Sequence, residues 1–392
     1  MIIASSKISN QTIVVSIMFT MLMALLCSRA ILSLTHLVWL LFILIKIKKN
    51  KFTKTNSLFI WSVIPLFLFW IGAWQTLLQP KTYDYLIGLC TYVIAAASLI
   101  TINTLNIKNV LLKLWVAIAL ISVLYPMFYY FINIQPTIEA FGKGQSMQTP
   151  MDTDHLRYSL FVCSALPIIW QIDGWSKKFK IVLSIVTSII VLFLSVRTGW
   201  VALCIIITFM VATTTYKNVK HLLLQLAVIV AVVAFAYKMF PTIQRKIDYS
   251  LYDWKNISAQ TYASNYSDAN RYAINKTALQ IIKENTTIHV GWINIPSKLH
   301  AAFIQQYPNA ALTYDWPFNQ YLFWYLGAGW WGCFAFIAWL LYGVVMGVQQ
   351  KNRWFIAWQV VMIASCFVEC TLNFQYGIFL HAWVSALLWK NK

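Results

Sequence analysis

Three arginines lie at the edge of apolar segments or in the polar stretch between them. Arg157 stands near the start of one apolar segment, Arg197 lies in a short turn between two others, and Arg271 lies in a long polar stretch. A guanidinium group stays charged at any physiological pH and binds two phosphate oxygens at once. The three arginines could therefore hold a phosphate or diphosphate headgroup and stabilise the charge on it as it leaves.

Each of these positions also has a purely structural explanation. Asp154 is expected to cap the helix that contains Arg157, and His155 could form an interfacial ion-paired group with Arg157 rather than bind substrate. Arg197 could extend to lipid headgroups, and Arg271 could simply be solvated. Of these positions, Arg197 is the one for which a functional role is most favoured, because positive charge is otherwise scarce on its predicted side of the membrane.

One carboxylate, Glu369, lies near the end of a predicted membrane span, in the segment Phe367-Val-Glu-Cys-Thr-Leu-Asn373. A carboxylate inside the membrane requires a partner. A salt bridge to one of the arginines and a direct catalytic role are both compatible with this position.

Composition indicates what must position these residues. Of the 392 residues, 60% are hydrophobic and 10% are charged, which excludes a water-soluble globule. A helix crosses the hydrocarbon with about 20 apolar residues and satisfies its own backbone groups, so the chain is predicted to be all-α. It would be a polytopic bundle of about twelve transmembrane helices. The predicted spans are 11–28, 30–46, 57–79, 84–102, 110–133, 153–172, 180–196, 198–216, 219–240, 319–348, 354–372 and 375–389.

Lysines and arginines fall in every second gap between the predicted spans. This positive-inside pattern predicts a bacterial inner-membrane protein with both termini in the cytoplasm. Helices one to nine would occupy residues 1–240, a large periplasmic loop with short helices residues 241–315, and helices ten to twelve residues 316–392, in one integrated domain. The net charge of +19 is thus explained by the topology of the chain in the membrane. We expect membrane lipids as partners and no nucleic acid.

The seven cysteines predict neither disulfides nor a metal site. All of them lie within predicted spans, without the spacing of metal ligands in a polar setting. The chain also has no glycine-rich nucleotide loop. We therefore expect no metal and no cofactor, with the energy for any reaction carried by the substrate.

Several short motifs occur in a fixed order between residue 154 and the C-terminus. Together they resemble the O-antigen ligase and polymerase superfamily, which are bacterial membrane glycosyltransferases with lipid-linked donors. The motifs are Asp154-His-Leu-Arg-Tyr-Ser-Leu160, Ser195-Val-Arg-Thr-Gly-Trp200, Arg271 followed by His289-Val-Gly-Trp-Ile-Asn294, Trp316-Pro-Phe-Asn-Gln-Tyr-Leu322, Gly327-Ala-Gly-Trp-Trp-Gly332 and Val368-Glu-Cys-Thr-Leu-Asn-Phe-Gln-Tyr-Gly377.

The resemblance implies a reaction and two roles. Arg197 and Arg271 would hold the diphosphate of the donor, joined in our interpretation by Arg157 and His155. An acceptor hydroxyl would attack the anomeric carbon of a glycan on undecaprenyl diphosphate, without a metal, at the periplasmic face. The acceptor would be the lipid A core or another glycan.

The sequence departs from this superfamily at one motif position. A histidine usually precedes the asparagine of the Pro-His-Asn motif, whereas here Phe318 precedes Asn319. Phenylalanine can neither accept a proton nor donate a hydrogen bond. Asp315 is the first candidate to replace the histidine as base, followed by His300 and His155. Asp315 could instead cap a helix, and the substitution could mean an altered acceptor or lost activity.

Three functions remain open at this point. Ligation of a finished O-antigen to the lipid A core is favoured, because the motifs around Arg197 and Trp316 look more ligase-like. A polysaccharide polymerase would use the same donor and chemistry. A transporter of lipid-linked oligosaccharide is less favoured, because the charges gather at one face instead of crossing the midplane.

Overall fold

The computed structural model describes residues 9–47, 56–73, 80–215, 234–258, 267–284, 289–308 and 314–390, with the isolated positions 227 and 230. Every regular element within these ranges is helical, so the all-α class is confirmed. The helices are α1 (Asn10–Cys27), α2 (Arg29–Ile47), α3 (Asn56–Ala73), α4 (Pro80–Thr104), α5 (Lys108–Ser122), α6 (Leu124–Ile132), α7 (Ile134–Gly142), α8 (His155–Gln171), α9 (Lys177–Phe193), α10 (Arg197–Thr215), α11 (Pro241–Ser258), α12 (Ser267–Glu284), α13 (Ile295–Gln306), α14 (Gln320–Gln349), α15 (Arg353–Val368) and α16 (Gln375–Leu388).

Four stretches of the described chain are long and apolar enough to cross a membrane, namely 10–27, 85–104, 108–132 and 320–349. Shorter apolar helices cover 29–45, 57–70, 197–211 and 353–368. These helices are those of a membrane protein, while the number of about twelve spans stays a prediction. The predicted ninth span, 219–240, lies mostly outside the described residues.

Helix α16 forms the centre of the bundle. Its residues from Tyr376 to Leu388 are buried, and it packs against α4, α8 and α15. The two ring nitrogens of its His381 form hydrogen bonds, one with the Tyr92 hydroxyl at 2.9 Å and one with the side-chain oxygen of Gln359 at 2.8 Å. Satisfied polar contacts of this kind fix a buried helix in one register. These contacts join α16 to α4 and α15.

The start of α8 is fixed by a left-handed turn. Met151, Asp152 and Thr153 have φ values of 67°, 53° and 62°, which residues with a Cβ rarely adopt. The Met151 backbone N–H donates to the Leu26 carbonyl at 2.9 Å. Asp154 then caps the helix, because its carboxylate accepts from the Arg157 backbone N–H, as predicted.

The polar helices α11, α12 and α13 cover one end of the bundle. Asp253 of α11 is fully buried, and its carboxylate accepts from the first backbone N–H groups of α12, those of Asp268 and Ala269, at 2.6 and 3.4 Å. Burial is the main reason why the pKa of Asp253 is raised above its ordinary value. A carboxylate from a neighbouring helix thus starts α12 and fixes the direction of its side chains.

The turn that precedes α13 packs against α14 near a break in the regular helix at Gly329. Gly329 has a φ of 73°, which a residue with a side chain would adopt only with strain. At Gly327 an added Cβ would lie 2.0 Å from the Trp292 ring, so only glycine allows this close approach. The backbone N–H groups of Val290 and Gly291 donate to the Leu326 carbonyl. These contacts attach the polar helices to α14.

Candidate functional site

Arg197 joins α10 to α12. Its guanidinium donates to both oxygens of Asp268, at 2.7 Å for Nη2 to Oδ1, and to the Ser250 hydroxyl at 3.4 Å. The side chain of Arg197 is still 39% exposed. The guanidinium is therefore held by the carboxylate, while the side chain as a whole stays partly accessible to a ligand.

Lys246 of α11 is a second cation at this position, and the sequence interpretation missed it. It is 6% exposed, and its ammonium donates to the carbonyls of Gly144 and Gln145 at 3.3 and 3.4 Å. Within the described residues no carboxylate forms a salt bridge with it. Burial first, and then the charge of Arg197, lower the pKa of Lys246 to about 8. An anionic ligand would relieve this cost.

A sequence signal for Lys246 does exist. Buried positions on α11 recur at helical spacing, and Lys246 occupies one of them. A lysine on the buried face of an amphipathic helix is exceptional, because lysine is almost never buried without a partner. The positive-inside rule ignores long extracytoplasmic loops, which is why charge counting passed over it. The buried positions are Thr242, Ile243, Lys246, Tyr249 and Asp253.

A groove of about 560 Å³ lies beside these two cations, between α10 and α11. Besides the two cations, its lining includes the Ser250 hydroxyl and Trp200, whose buried indole N–H has no hydrogen-bond partner among the described residues. The remaining walls are mostly apolar. We call this feature the α10–α11 groove; it is lined by Arg197, Trp200, Val201, Cys204, Ile205, Lys246, Ile247, Ser250 and Leu251.

Glu369 connects the other two predicted arginines. Its Oε1 lies 3.9 Å from Arg157 Nη2, and its Oε2 lies 3.6 Å from Arg271 Nη2. Arg157 is only 5% exposed and also pairs with Asp154 at 2.9 Å. Its cation lies 4.0 Å from the centre of the Phe374 ring. Of the two roles open to Glu369, the geometry therefore favours the salt bridge.

Phe318 stands beside Arg271. The guanidinium carbon of Arg271 lies 4.5 Å from the centre of the buried Phe318 ring, a cation–π contact. The Phe318 backbone N–H donates to the Asn275 side chain at 2.8 Å. Phe318, which occupies the position of the histidine in the motif, thus helps to hold Arg271, a candidate for diphosphate binding, in place. Its own ring can neither donate nor accept a proton.

Asn319 caps α14, because its side-chain oxygen accepts from the backbone N–H groups of Tyr321 and Leu322. Asp315, which could have capped a helix, does not cap α14. Asp315 is exposed in the turn before Phe318, and among the described residues it forms no salt bridge or side-chain hydrogen bond. Its side chain is therefore open to solvent.

The remaining histidine candidates are placed differently. We call the side chains of Asp154, Arg157, Arg197, Lys246, Asp268, Arg271 and Glu369 the charged cluster. His155 lies within electrostatic reach of Lys246, Asp154 and Arg271, so it belongs to this cluster. His300 is exposed on α13, and no contact in the described part of the chain joins it to that cluster. In the same part of the chain, no group of three or more histidine, cysteine or acidic side chains could hold a metal ion.

Replacing Arg157 by methionine is expected to destabilise the protein by about 3–5 kcal/mol, because it leaves two buried carboxylates short of a partner. Thermal unfolding in detergent measures this loss. Arg271→Met is the matched control. It is expected to cost less, because the Arg271 side chain is 27% exposed against 6% for Arg157. Equal unfolding temperatures for Arg157→Met and the wild type would show that the pair contributes nothing.

Part of the chain that contains these residues matches a known protein family. Residues 182–337 match the family model described as O-antigen ligase. This range contains Arg197, Lys246, Arg271 and the Phe318–Asn319 motif. Over these residues, the match supports the resemblance to the O-antigen ligase and polymerase superfamily. No match was found among curated proteins.

Proposed function

We propose that this membrane protein, whose residues 182–337 match the O-antigen ligase family, transfers a glycan from undecaprenyl diphosphate to a hydroxyl of the lipid A core. The reaction would take place at the periplasmic face of the inner membrane. One observation carries the proposal: the α10–α11 groove combines Arg197 and Lys246 with mostly apolar walls. This combination suits a lipid with an anionic headgroup.

The donor would bind with its diphosphate against Arg197, Lys246 and the Ser250 hydroxyl. The indole N–H of Trp200 has no partner among the described residues, and in this proposal it donates to a phosphate oxygen. The first isoprene units would lie along the apolar side chains of α10 and α11. Arg271 and Arg157 would extend the positive field toward the glycan, with Glu369 positioning both.

The transfer step then needs one base and one stabilised leaving group. The oxygen of the acceptor hydroxyl forms a bond to the anomeric carbon as the bond from that carbon to the diphosphate oxygen breaks. The electron pair of the broken bond goes to the diphosphate, where the cations stabilise it. The hydroxyl proton goes to a carboxylate, for which we propose Asp315, because Glu369 is engaged with two arginines.

Reconstitution tests this function and its nearest alternative. The purified chain in proteoliposomes receives an undecaprenyl-diphosphate glycan together with lipid A core, and the product is identified by its size shift. Glycan on the lipid A core supports ligation, whereas longer glycan on the polyprenol carrier would replace ligation with polymerisation. Movement of the donor across the bilayer without transfer would overturn the proposal in favour of transport.

The KM for the donor is expected to rise as pH increases through about 8. Lys246, with its pKa lowered to about 8, is charged below that pH and neutral above it, so one phosphate contact weakens. The change should be about tenfold between pH 7 and pH 9.5. Bound diphosphate raises the pKa, so the midpoint for kcat lies higher than that for kcat/KM.

Two variants on α11 separate this effect from general alkaline effects. Lys246→Met should show a raised donor KM already at pH 7, with little further change. Arg245→Met, at an exposed position on the same helix, should keep the wild-type profile. The same rise in Lys246→Met as in the wild type would assign the titration to another group.

A further inference from the structure

A second cavity, of about 600 Å³, lies between α2, α4 and α16. Its size is within the range of small-molecule sites, about 300–1,000 Å³. Leu40, Ile94 and Ile378 contribute apolar walls. Leu37 and Ile87 also line it and are 51% and 65% exposed, so the cavity opens toward the surface that lipid would cover. We call it the α2–α4–α16 cavity.

Its polar wall contains a hydrogen-bond donor that has no partner among the described residues. The side-chain oxygen of Asn373 accepts from Gln320 at 2.6 Å and from the Tyr85 hydroxyl at 3.1 Å, whereas no described residue accepts from its buried Nδ2. Gln375 donates to the Ser33 hydroxyl at 2.9 Å beside it. Because a buried unpaired donor is costly, this wall is suited to an oxygen atom of a ligand.

A cation stands at the same end of the cavity. Arg29 lies one helical turn before Ser33 on α2, and its backbone carbonyl accepts from Gln375. Its guanidinium pairs with Asp152 at 2.9 Å and lies over the Tyr376 ring at 5.0 Å, with half of the side chain exposed. An apolar cavity that has side-chain amide donors and an accessible arginine at one end fits an anionic lipid.

The segment from Glu369 to Gln375 separates this cavity from the charged cluster. Glu369 contacts Arg157 and Arg271, whereas Asn373 and Gln375 line the cavity. A reaction between two lipid-anchored substrates needs two lipid sites whose headgroup ends meet. The α10–α11 groove supplies one of them, on helices that take no part in the second.

We propose that the α2–α4–α16 cavity holds an acyl chain of the acceptor glycolipid, with an acidic group of that lipid at Arg29. This inference rests on the proposed transfer between two lipid-linked molecules. It names the acceptor as an anionic, acyl-chain lipid and places its headgroup beside the segment that carries Glu369.

Kinetics with filled cavities test the site. An added Cβ at Gly88 would lie 3.3 Å from Ile378 Cδ1, so Gly88→Leu fills the cavity from α4. Leu37→Trp fills it from α2, and Leu34→Trp, at a 62% exposed position outside the lining, is the matched control. Both filled variants should raise the KM for lipid A core about tenfold and leave the donor KM within about twofold. Leu34→Trp should match the wild type.

A binding measurement keeps the inference independent of activity. Lipid A core with a photoreactive acyl chain should label peptides of α2 and α4 in the wild type, and the label should fall at least about fivefold in Gly88→Leu. If the wild type is labelled but transfers no glycan, the lipid site stands and the proposed function fails. A rise in donor KM, or equal labelling by a photoreactive phosphatidylglycerol, would overturn the inference, since the cavity would then hold the donor or a bulk membrane lipid.

Discussion

Replacement of Arg197 by alanine is expected to lower kcat/KM for glycan transfer by about 100- to 1,000-fold. Arg197 lines the α10–α11 groove and is partly exposed, and we assign the diphosphate to a position beside its guanidinium. Its charge would act both in binding and on the leaving group, so both KM and kcat should change. Initial rates at varied donor concentration in proteoliposomes measure both constants.

The controls for Arg197→Ala use its own contacts. Asp268→Asn breaks the same salt bridge but keeps the cation, and it should retain most of the activity. Arg245→Ala removes an exposed arginine from α11 and should behave like the wild type. A kcat/KM for Arg197→Ala within about threefold of the wild type would remove Arg197 from the diphosphate site.

Asp315→Asn is expected to reduce kcat by about 100- to 10,000-fold and to leave both KM values nearly unchanged. Asp315 is an exposed carboxylate in the turn that leads to Phe318, and the Tyr314 ring packs on Phe318 at 4.6 Å. Asparagine keeps the shape of the side chain and cannot accept the proton. Single-turnover rates with saturating donor and acceptor separate this step from binding.

Two further variants decide whether Asp315 acts as the base. His300→Gln should be as active as the wild type, because His300 lies apart from the charged cluster. Adding Phe318→His to Asp315→Asn should recover part of the rate, since it restores a proton acceptor next to Arg271. Full activity in Asp315→Asn alone would exclude Asp315, and the base would then have to be sought at His155.

Local signals predicted the parts of the fold that depend on neighbouring residues. Long apolar runs gave the helices, and helices lie at the predicted spans within the described chain. Asp154 was correctly predicted as a helix cap, because a cap involves residues only three apart. Arg197 and Arg271 stood out since arginine is rare in this setting. Residue type and chain position were sufficient for these features.

The pairing of the charged residues depends on tertiary packing and could not be predicted in the same way. Asp268 lies 71 residues from Arg197, and the two meet where the buried Asp253 accepts from the backbone at the start of α12. Lys246 becomes part of the site because α11 turns that face inward. Asp315 was a candidate helix cap, yet Asn319 is the residue whose side-chain oxygen accepts from the first backbone N–H groups of α14. Which residues form an ion pair or cap a helix depends on distances in the folded chain, and the spacing of residues in the sequence does not determine those distances.

Direct binding of three lipids tests the central claim, that this site recognises a diphosphate on a polyprenol. Undecaprenyl diphosphate, undecaprenyl phosphate and undecaprenol share one tail and differ only in the charge of the headgroup. In purified wild-type protein, affinity should fall in that order, with at least about tenfold between the first and the last. In Arg197→Ala most of this difference should disappear. Equal binding of undecaprenol and undecaprenyl diphosphate by the wild type would contradict the claim.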